Sequence, residues 1–478
     1  MDISKNIPFT EENFQKVLSV ILSQQEAISR LTKENEELKQ RVKDLELRLS
    51  KDSHNSSKPP SSDGYQKKPI VNQRTKTGRS LGGQPGHKSN SKPFHEHPDR
   101  VYYHFPNGCD CGTAYWEEKP YETFQVIDLP PIKAYVTEHR KMKYRCRNCG
   151  EEFSGEFSAT KGNRIQYGPK VRSLAAYLNQ YQIIPYNRLK EMFKDLLSID
   201  LSEGSLVNFV KETGKGLNAF KKHVNGCLKH ARVLHSDETG VRFEGKTGWM
   251  HVVSNQQFTY LHADKSRGRQ AIEQMDILPD FTGVLVHDRF RSYFGDWKFR
   301  HGLCNAHILR ELIYFEEQGD KPWATEIKKL LLKAKEKKDS GVAIRKHYIT
   351  RVGNSYRKIV RGELQKETYK VKPSKAKGRS KKSEDHNFLI ALNKYWREIL
   401  LYIEEEDVPF DNNQAERDLR MIKAKQKISG CFRSTAGAET FAIIRSYLST
   451  MRKNNLPILS GLNQIFQNTE ATLISVEQ

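Results

Sequence analysis

Asp237, Asp288 and Glu416 are the residues whose types and settings point to chemistry. Asp237 follows an apolar run at 231–236 and Asp288 follows another at 283–287. Both runs read as short strands, so each aspartate is expected at a strand end, held rigidly at the rim of a sheet. Glu416 stands in DNNQAERDLR, 411–420, where Asp411 or Asn412 can cap a helix whose first turns carry the glutamate inward. Carboxylates from two strands and a helix suit hard divalent cations, Mg²⁺ or Mn²⁺. Two such ions activate an attacking oxygen and stabilise the leaving one in an in-line phosphoryl transfer. Either aspartate alone reads equally as a turn former. The weight rests on the trio with its flanks, His235-Ser236-Asp237-Glu238-Thr239 and His287-Asp288-Arg289.

The elements that must position these acids follow from periodicity. Further strands are expected at 248–254 and 258–263, with an amphipathic helix at 267–275 between the two aspartates. From Asp288 to Glu416 is 416 − 288 = 128 residues, too long for one crossover, so a subdomain is inserted. Its helical patterns lie at 308–315, 323–338 and 389–404. Between them, residues 341–382 carry fourteen Lys/Arg against two acids, a net +12, with a disordered loop expected at 372–382 (KPSKAKGRSKK). Lys372, Lys375, Lys377 and Arg379 of that loop are candidate DNA contacts, as are Arg417, Arg420 and Lys423 just after Glu416. A final amphipathic helix is expected at 438–452.

Formal net charge is +22 over 478 residues, an excess that points to a polyanionic partner. No run of eighteen apolar residues occurs and the start, MDISKNIPF, has no apolar signal core, so a cytoplasmic protein is expected. Residues 14–49 carry a heptad, with Phe14, Ile21, Ile28, Asn35, Val42 and Leu49 at one seam position and Val17, Gln24, Leu31, Leu38 and Leu45 at the other. Steps of three and four keep that seam toward a partner helix, and Asn35 is of the type that selects a two-stranded register. A dimerisation coiled coil is the expectation; a helix packed on its own protein is the plainer alternative.

Residues 51–98 are rich in breakers and too polar to bury a core, which predicts a flexible basic arm in which Lys58, Arg79 and Lys88 can meet phosphates. Four of the seven cysteines, Cys109, Cys111, Cys146 and Cys149, form two pairs around what reads as a β-hairpin of 121–129 and 134–144 broken at Pro130-Pro131. Four thiolates at two turns of a small β unit suit one closed structural Zn²⁺. The first pair is C-x-C rather than C-x-x-C, and His104 is a possible substitute ligand. Residues 168–226 are helical by pattern, with the layout of a helix-turn-helix or of a plain connector. Cys304 and His307 form a C-x-x-H pair, either zinc ligands without visible partners or structural groups.

The segments LHSDETGVR, VHDRFRSY, LCNAHILREL and VPFDNNQAERDLR, with SSKPPSSD and GGQPGHK near the N-terminus, resemble the IS66 family of insertion-sequence transposases, which is similar to the wider DDE group. Ser89 stands where that family usually continues with glycine. The resemblance implies a multidomain α/β protein with a ribonuclease H-like mixed sheet core and a helical insertion. It implies that Asp237, Asp288 and Glu416 hold two Mg²⁺ ions, free the 3′ ends of the element and direct them into target DNA. Cys304 and His307, by likeness to related transposase groups, are expected to position the sheet edge near that centre. Expected divisions are a dimerisation helix at 10–50, the basic arm at 51–98, the zinc unit at 99–165 and a helical domain at 166–228. The catalytic core then runs over 229–310 and 407–478 around a basic insertion at 311–406. Double-stranded DNA, a second copy of the chain and accessory proteins of the element are the implied partners. A nuclease that cuts without joining, and a non-catalytic zinc-containing DNA-binding protein, are the alternatives.

Overall fold

The computed structural model describes residues 10–49, 51, 55–56, 93–105, 110, 117, 119–120, 122–130, 132–156, 165–319, 321–366 and 382–467. Lys58, Arg79, Lys88, Cys109, Cys111, Lys372, Lys375, Lys377 and Arg379, and most of the expected arm and loop, lie outside these residues. The chain separates into two compact units, one of residues 1–70, 167–185 and 206–478, the other of 71–166 and 186–205.

The N-terminal heptad forms one helix, α1 (Glu11–Leu49). Its seam residues are exposed along the whole length, from Val17 and Ile21 through Leu31 and Leu38 to Leu45. In the second unit the strands differ from expectation. No strand is assigned within residues 122–130 and 132–142, where the hairpin was expected. The hairpin is instead β1 (Lys143–Arg145) against β2 (Glu152–Ser154), built around the second cysteine pair.

A run of helices precedes the main sheet: α2 (Pro169–Ala176), continued by a π turn to Tyr181, then α3 (Tyr186–Leu197), α4 (Glu203–Lys215) and α5 (Asn218–Lys229). The sheet has five strands: β3 (Val233–Phe243), β4 (Lys246–Ser254), β5 (Thr259–Asp264), then, after α6 (Arg269–Gln274), β6 (Val284–His287) and β7 (Arg300–Leu303). Spatial order is β5-β4-β3-β6-β7, the first three antiparallel and β6 and β7 parallel to β3. The β3–β4 hairpin turns through Glu244 (φ 52) and Gly245 (φ 76), two successive left-handed residues as a two-residue hairpin loop requires. Glu244 accepts the N–H of Thr435 at 3.1 Å, which anchors this turn to the C-terminal region. Gly248 leaves room for the Phe243 ring, which an added Cβ would approach to 2.1 Å.

The sequence places Asp237 at the end of a strand, yet β3 continues through it for six residues. The polar run Ser236-Asp237-Glu238-Thr239 hides the continuation from a hydrophobicity reading, and pairing with β4 out to Phe243 supplies it.

The insertion is α7 (Asn305–Glu317), α8 (Pro322–Asp339), α9 (Lys346–Leu364), α10 (Glu384–Lys394) and α11 (Trp396–Glu404). The helix expected at 389–404 is thus two, parted at Tyr395. Much of the basic stretch is α9, which sinks Val352, Tyr356 and Val360 into the cluster formed with Leu312, Trp323, Leu331, Phe388 and Ile399. That cluster runs on to Val284, Val286 and Leu303 of the sheet, so the insertion is welded to the β6–β7 edge. The chain closes with α12 (Asn413–Ser429), α13 (Thr435–Lys453), capped by Ser434 accepting from the Gly437 N–H, and α14 (Ile458–Phe466). Ala415, Leu419 and Ile422 of α12 and Ala438, Phe441 and Ala442 of α13 cover Val241, Phe243, Met250, Val252, Leu261 and Ala263.

Candidate functional site

Strand alternation sorts β3 into two faces. Val241 and Phe243 lie under α12 and α13, so Asp237, two and three pleats earlier on the same side, faces α12 as well. Ser236 and Glu238 face the other way. Parallel pairing with β6 ends at His235↔Val286; Asp237 lies two residues past that pair on β3, and Asp288 two residues past it where the chain leaves β6. Glu416 comes from the first turn of α12. That helix is fastened to β3 by Asn412, whose side chain meets His235 Nδ1 at 2.9 Å and donates to the Ser236 carbonyl at 2.8 Å. Asn412 is a cap candidate by sequence, but its amide is spent across the site; Asp411 accepts the Asn413 N–H at 3.1 Å instead.

The carboxyls crowd one another. Burial holds Asp237 well above the usual carboxylate range, and the charges of Glu238, Asp288 and Glu416 push it the same way. Asp288 is raised by burial and then by Glu238, against the opposing pull of the Phe290 N–H, Arg267 and Arg289. Its Oδ1 accepts that N–H at 2.8 Å, which fixes the turn leaving β6. Behind Asp288, His287 is fully buried among Tyr293, Phe294 and His301, and burial takes its imidazole down to about 3, so it stays neutral.

Glu238 is a fourth acid, one that the sequence alone does not single out. Its side chain is 1% exposed. Arg267 donates to Oε1 through Nε at 2.9 Å and Nη2 at 2.8 Å, and Tyr293 Oη donates to Oε2 at 2.9 Å. The guanidinium lies between the rings of Trp249, 4.6 Å away, and Phe290, 4.2 Å away. The adjacency Asp237-Glu238 was the only signal for it in the sequence, because Arg267 and Tyr293 join it through the fold.

Glu416 Oε1 is buried and accepts no hydrogen bond; Arg310 Nη2 stands 3.5 Å off, an ion-pair distance too long for one. Two buried aspartates whose carboxyls are raised, with an orphaned Glu416 oxygen, form an arrangement that a divalent cation relieves, so the donor set fits hard cations held by Asp237, Asp288 and Glu416. As a trio they do not close to within 4.8 Å of one another, whereas Cys304, His307 and Glu416 do. Of the expected phosphate clamps that are described, Arg420 is exposed, Arg417 is exposed beside Gln414, and Lys423 donates to the Gly240 carbonyl at 3.0 Å.

In the other unit the Cys146–Cys149 turn has the form of a zinc knuckle. Cys146 N–H donates to Glu151 O, Gly150 N–H donates to Cys146 O, and Gly150 takes φ 78. The N–H groups of Cys149 and Asn148 hold the Cys146 thiol below its usual value, the bias a metal thiolate requires.

Fold and centre together define an α/β protein with a mixed five-stranded sheet and a carboxylate site suited to divalent cations. Residues 164–440, more than half the chain, match the family described as "Transposase IS66 family", and the chain belongs to that family. Residues 106–150 match the zinc-finger binding domain of transposase IS66, and residues 13–93 match a family of unknown function. An uncharacterised protein y4hP of Sinorhizobium fredii is 22% identical over 391 residues, covering 75% of this chain and 70% of its own length. A chain of the simian T-cell lymphotropic virus intasome in complex with PP2A regulatory subunit B56 gamma matches 44% of this chain and 80% of its own length. Its identity is 11% and its TM-score 0.15, too low to bear on the fold. Family membership implies DNA binding, a divalent cation and a zinc finger. Among the described residues no helix is long and apolar enough to cross a membrane.

Proposed function

We propose that the chain is a DNA transposase of ribonuclease H-like core that cleaves at the ends of its element and joins them to target DNA, with Asp237, Asp288 and Glu416 as the catalytic acids. The observation that supports this reading is that Asp237 and Asp288 each lie two residues past the last β3–β6 pair and that the charges of Asp288 and Glu416 both bear on Asp237. When bound, a pair of Mg²⁺ ions supplies Lewis acidity and charge neutralisation for an in-line displacement at phosphorus. The three acids hold those ions. Arg267 and Tyr293 keep Glu238 in place behind Asp237, and the ring walls around His287 keep water from the back of β6. Arg417 and Arg420, exposed after Glu416, neutralise the scissile strand as it lies over the centre. The heptad face of α1 pairs two copies so that two ends are held at once, and the basic insertion and arm cover the DNA. One Zn²⁺ is held by Cys109, Cys111, Cys146 and Cys149.

Purified protein incubated with native element ends, a target plasmid and Mg²⁺ tests the reading. Both 3′-end cleavage and strand-transfer products are expected, with at least a thousandfold loss in Glu416→Gln. Cleavage without joining would identify a nuclease; end binding with no cleavage under any divalent cation would leave only a DNA-binding protein.

A further inference from the structure

We infer that Cys304, His307 and Glu416 form a site for a thiophilic divalent cation of the zinc type, distinct in donor chemistry from the oxygen-ligand centre but sharing one carboxylate with it. Cys304 is the residue that opens α7 and His307 lies in its first turn, three positions on and therefore on the same face. Their Sγ and Nδ1 atoms are 3.3 Å apart. Asn412, the residue before α12, donates its N–H to Cys304 Sγ at 3.2 Å, which draws the start of α12 to the same point. One turn later Glu416 arrives, and the three ligand atoms all fall within 4.8 Å of one another.

A sulfur, an imidazole nitrogen and one carboxylate oxygen suit zinc and discriminate against magnesium, with a fourth position left for water. Cys304 is 2% exposed, and Glu416 Oε1 is a buried oxygen that accepts no hydrogen bond. Burial pushes the Cys304 thiol up, so the thiolate forms only as the metal binds. The charged groups that face the site are Arg310 and Arg289 at His307 and Asp411 and Glu416 at Cys304. On binding, the Cys304 thiol gives its proton to solvent as the sulfur–metal bond forms, so thiolate and carboxylate together balance the dication.

The binding itself does not rest on the catalytic reading, and the test reads binding alone. Full-length protein carrying zinc in its finger is titrated with Co²⁺ and the thiolate-to-cobalt charge-transfer absorption recorded for wild type, Cys304→Ser and His307→Gln. Wild type is expected to take up one more Co²⁺ than Cys304→Ser, with that step weakened at least tenfold in His307→Gln and not displaced by millimolar Mg²⁺. Equal stoichiometry and spectra in wild type and both variants would overturn the site. Where Cys304→Ser fails to fold, undiminished spectra in both His307→Gln and Glu416→Gln overturn it. A protein inactive on DNA but showing this cobalt step would sink the transposase reading and leave the site standing.

Discussion

At Asp237 the cost of function is visible in a single group. Its carboxyl is raised above the value it has in the unfolded chain, so its contribution to stability is fully present at pH below the ordinary carboxylate range and is lost as pH rises through the raised value. Asp237→Asn removes that ionisation. Without divalent cation the variant should unfold at a higher temperature than wild type at pH 8, by about 2–4 °C for each kcal/mol of repulsion relieved, with the gap closing toward pH 4. Scanning calorimetry at the two pH values checks it; an Asn variant that is no more stable at pH 8 would mean that the acids do not strain one another. The variant should also be inert in the cleavage assay. The three proposed acids stand out in the sequence only together with their flanking segments, and Glu238 does not stand out at all, since its partners Arg267 and Tyr293 are 29 and 55 residues away. The convergence of Cys304, His307 and Glu416 was hidden for the same reason: Glu416 lies 109 positions beyond His307, and only α12 brings it back.

Among the elements, α12 has the most exacting placement. Asn412 is 1% exposed and joins α12 to β3 through two hydrogen bonds. Asn412→Ala strips partners from His235 and the Ser236 carbonyl, a loss of about 1–3 kcal/mol, and frees the start of α12. The cleavage rate is expected to fall at least tenfold while end binding in a mobility-shift assay stays within twofold; a variant as active as wild type would show that Glu416 needs no such tether. The helix α1 makes the second prediction at this scale. Replacing Leu31 and Leu38 together by Glu puts charge into the exposed seam, and sedimentation should show the paired form reduced to a single chain. Periodicity located β4, β5, β6, α7, α8 and α13 within a few residues, but it set a hairpin over 121–129 and 134–144 where the paired strands are β1 and β2. It missed α9, whose Val352, Tyr356 and Val360 recur at helical spacing but are submerged among lysines and arginines that only its solvent face needs. It also ended β3 at Asp237, because strand continuation through a polar run is decided by the neighbouring strand and not by the run itself.

Across the whole molecule the surplus of positive charge sets the partner. Neutralising Lys372, Lys375, Lys377 and Arg379 together should weaken DNA binding at low salt and reduce the slope of log affinity against log salt by about 3–4, near one for each phosphate that is no longer neutralised. An unchanged slope would remove this segment from the DNA path. Composition made the polyanion legible at once, whereas the division into two compact units, with residues 186–205 grouped apart from the helices around them, follows from tertiary packing that no local pattern carries.

The covering of β5 by α13 has a consequence for synthesis. β5 is complete at Asp264, yet α13, which lies over it, begins at Thr435, 435 − 264 = 171 residues later. At ribosomal speeds of about 5–20 residues per second, some 10–30 s pass with Leu261 and Ala263 bare on an edge strand. A cell that translates slowly or is short of chaperones should therefore lose this protein as inclusion bodies on the way out of the ribosome, even where the finished fold is sound.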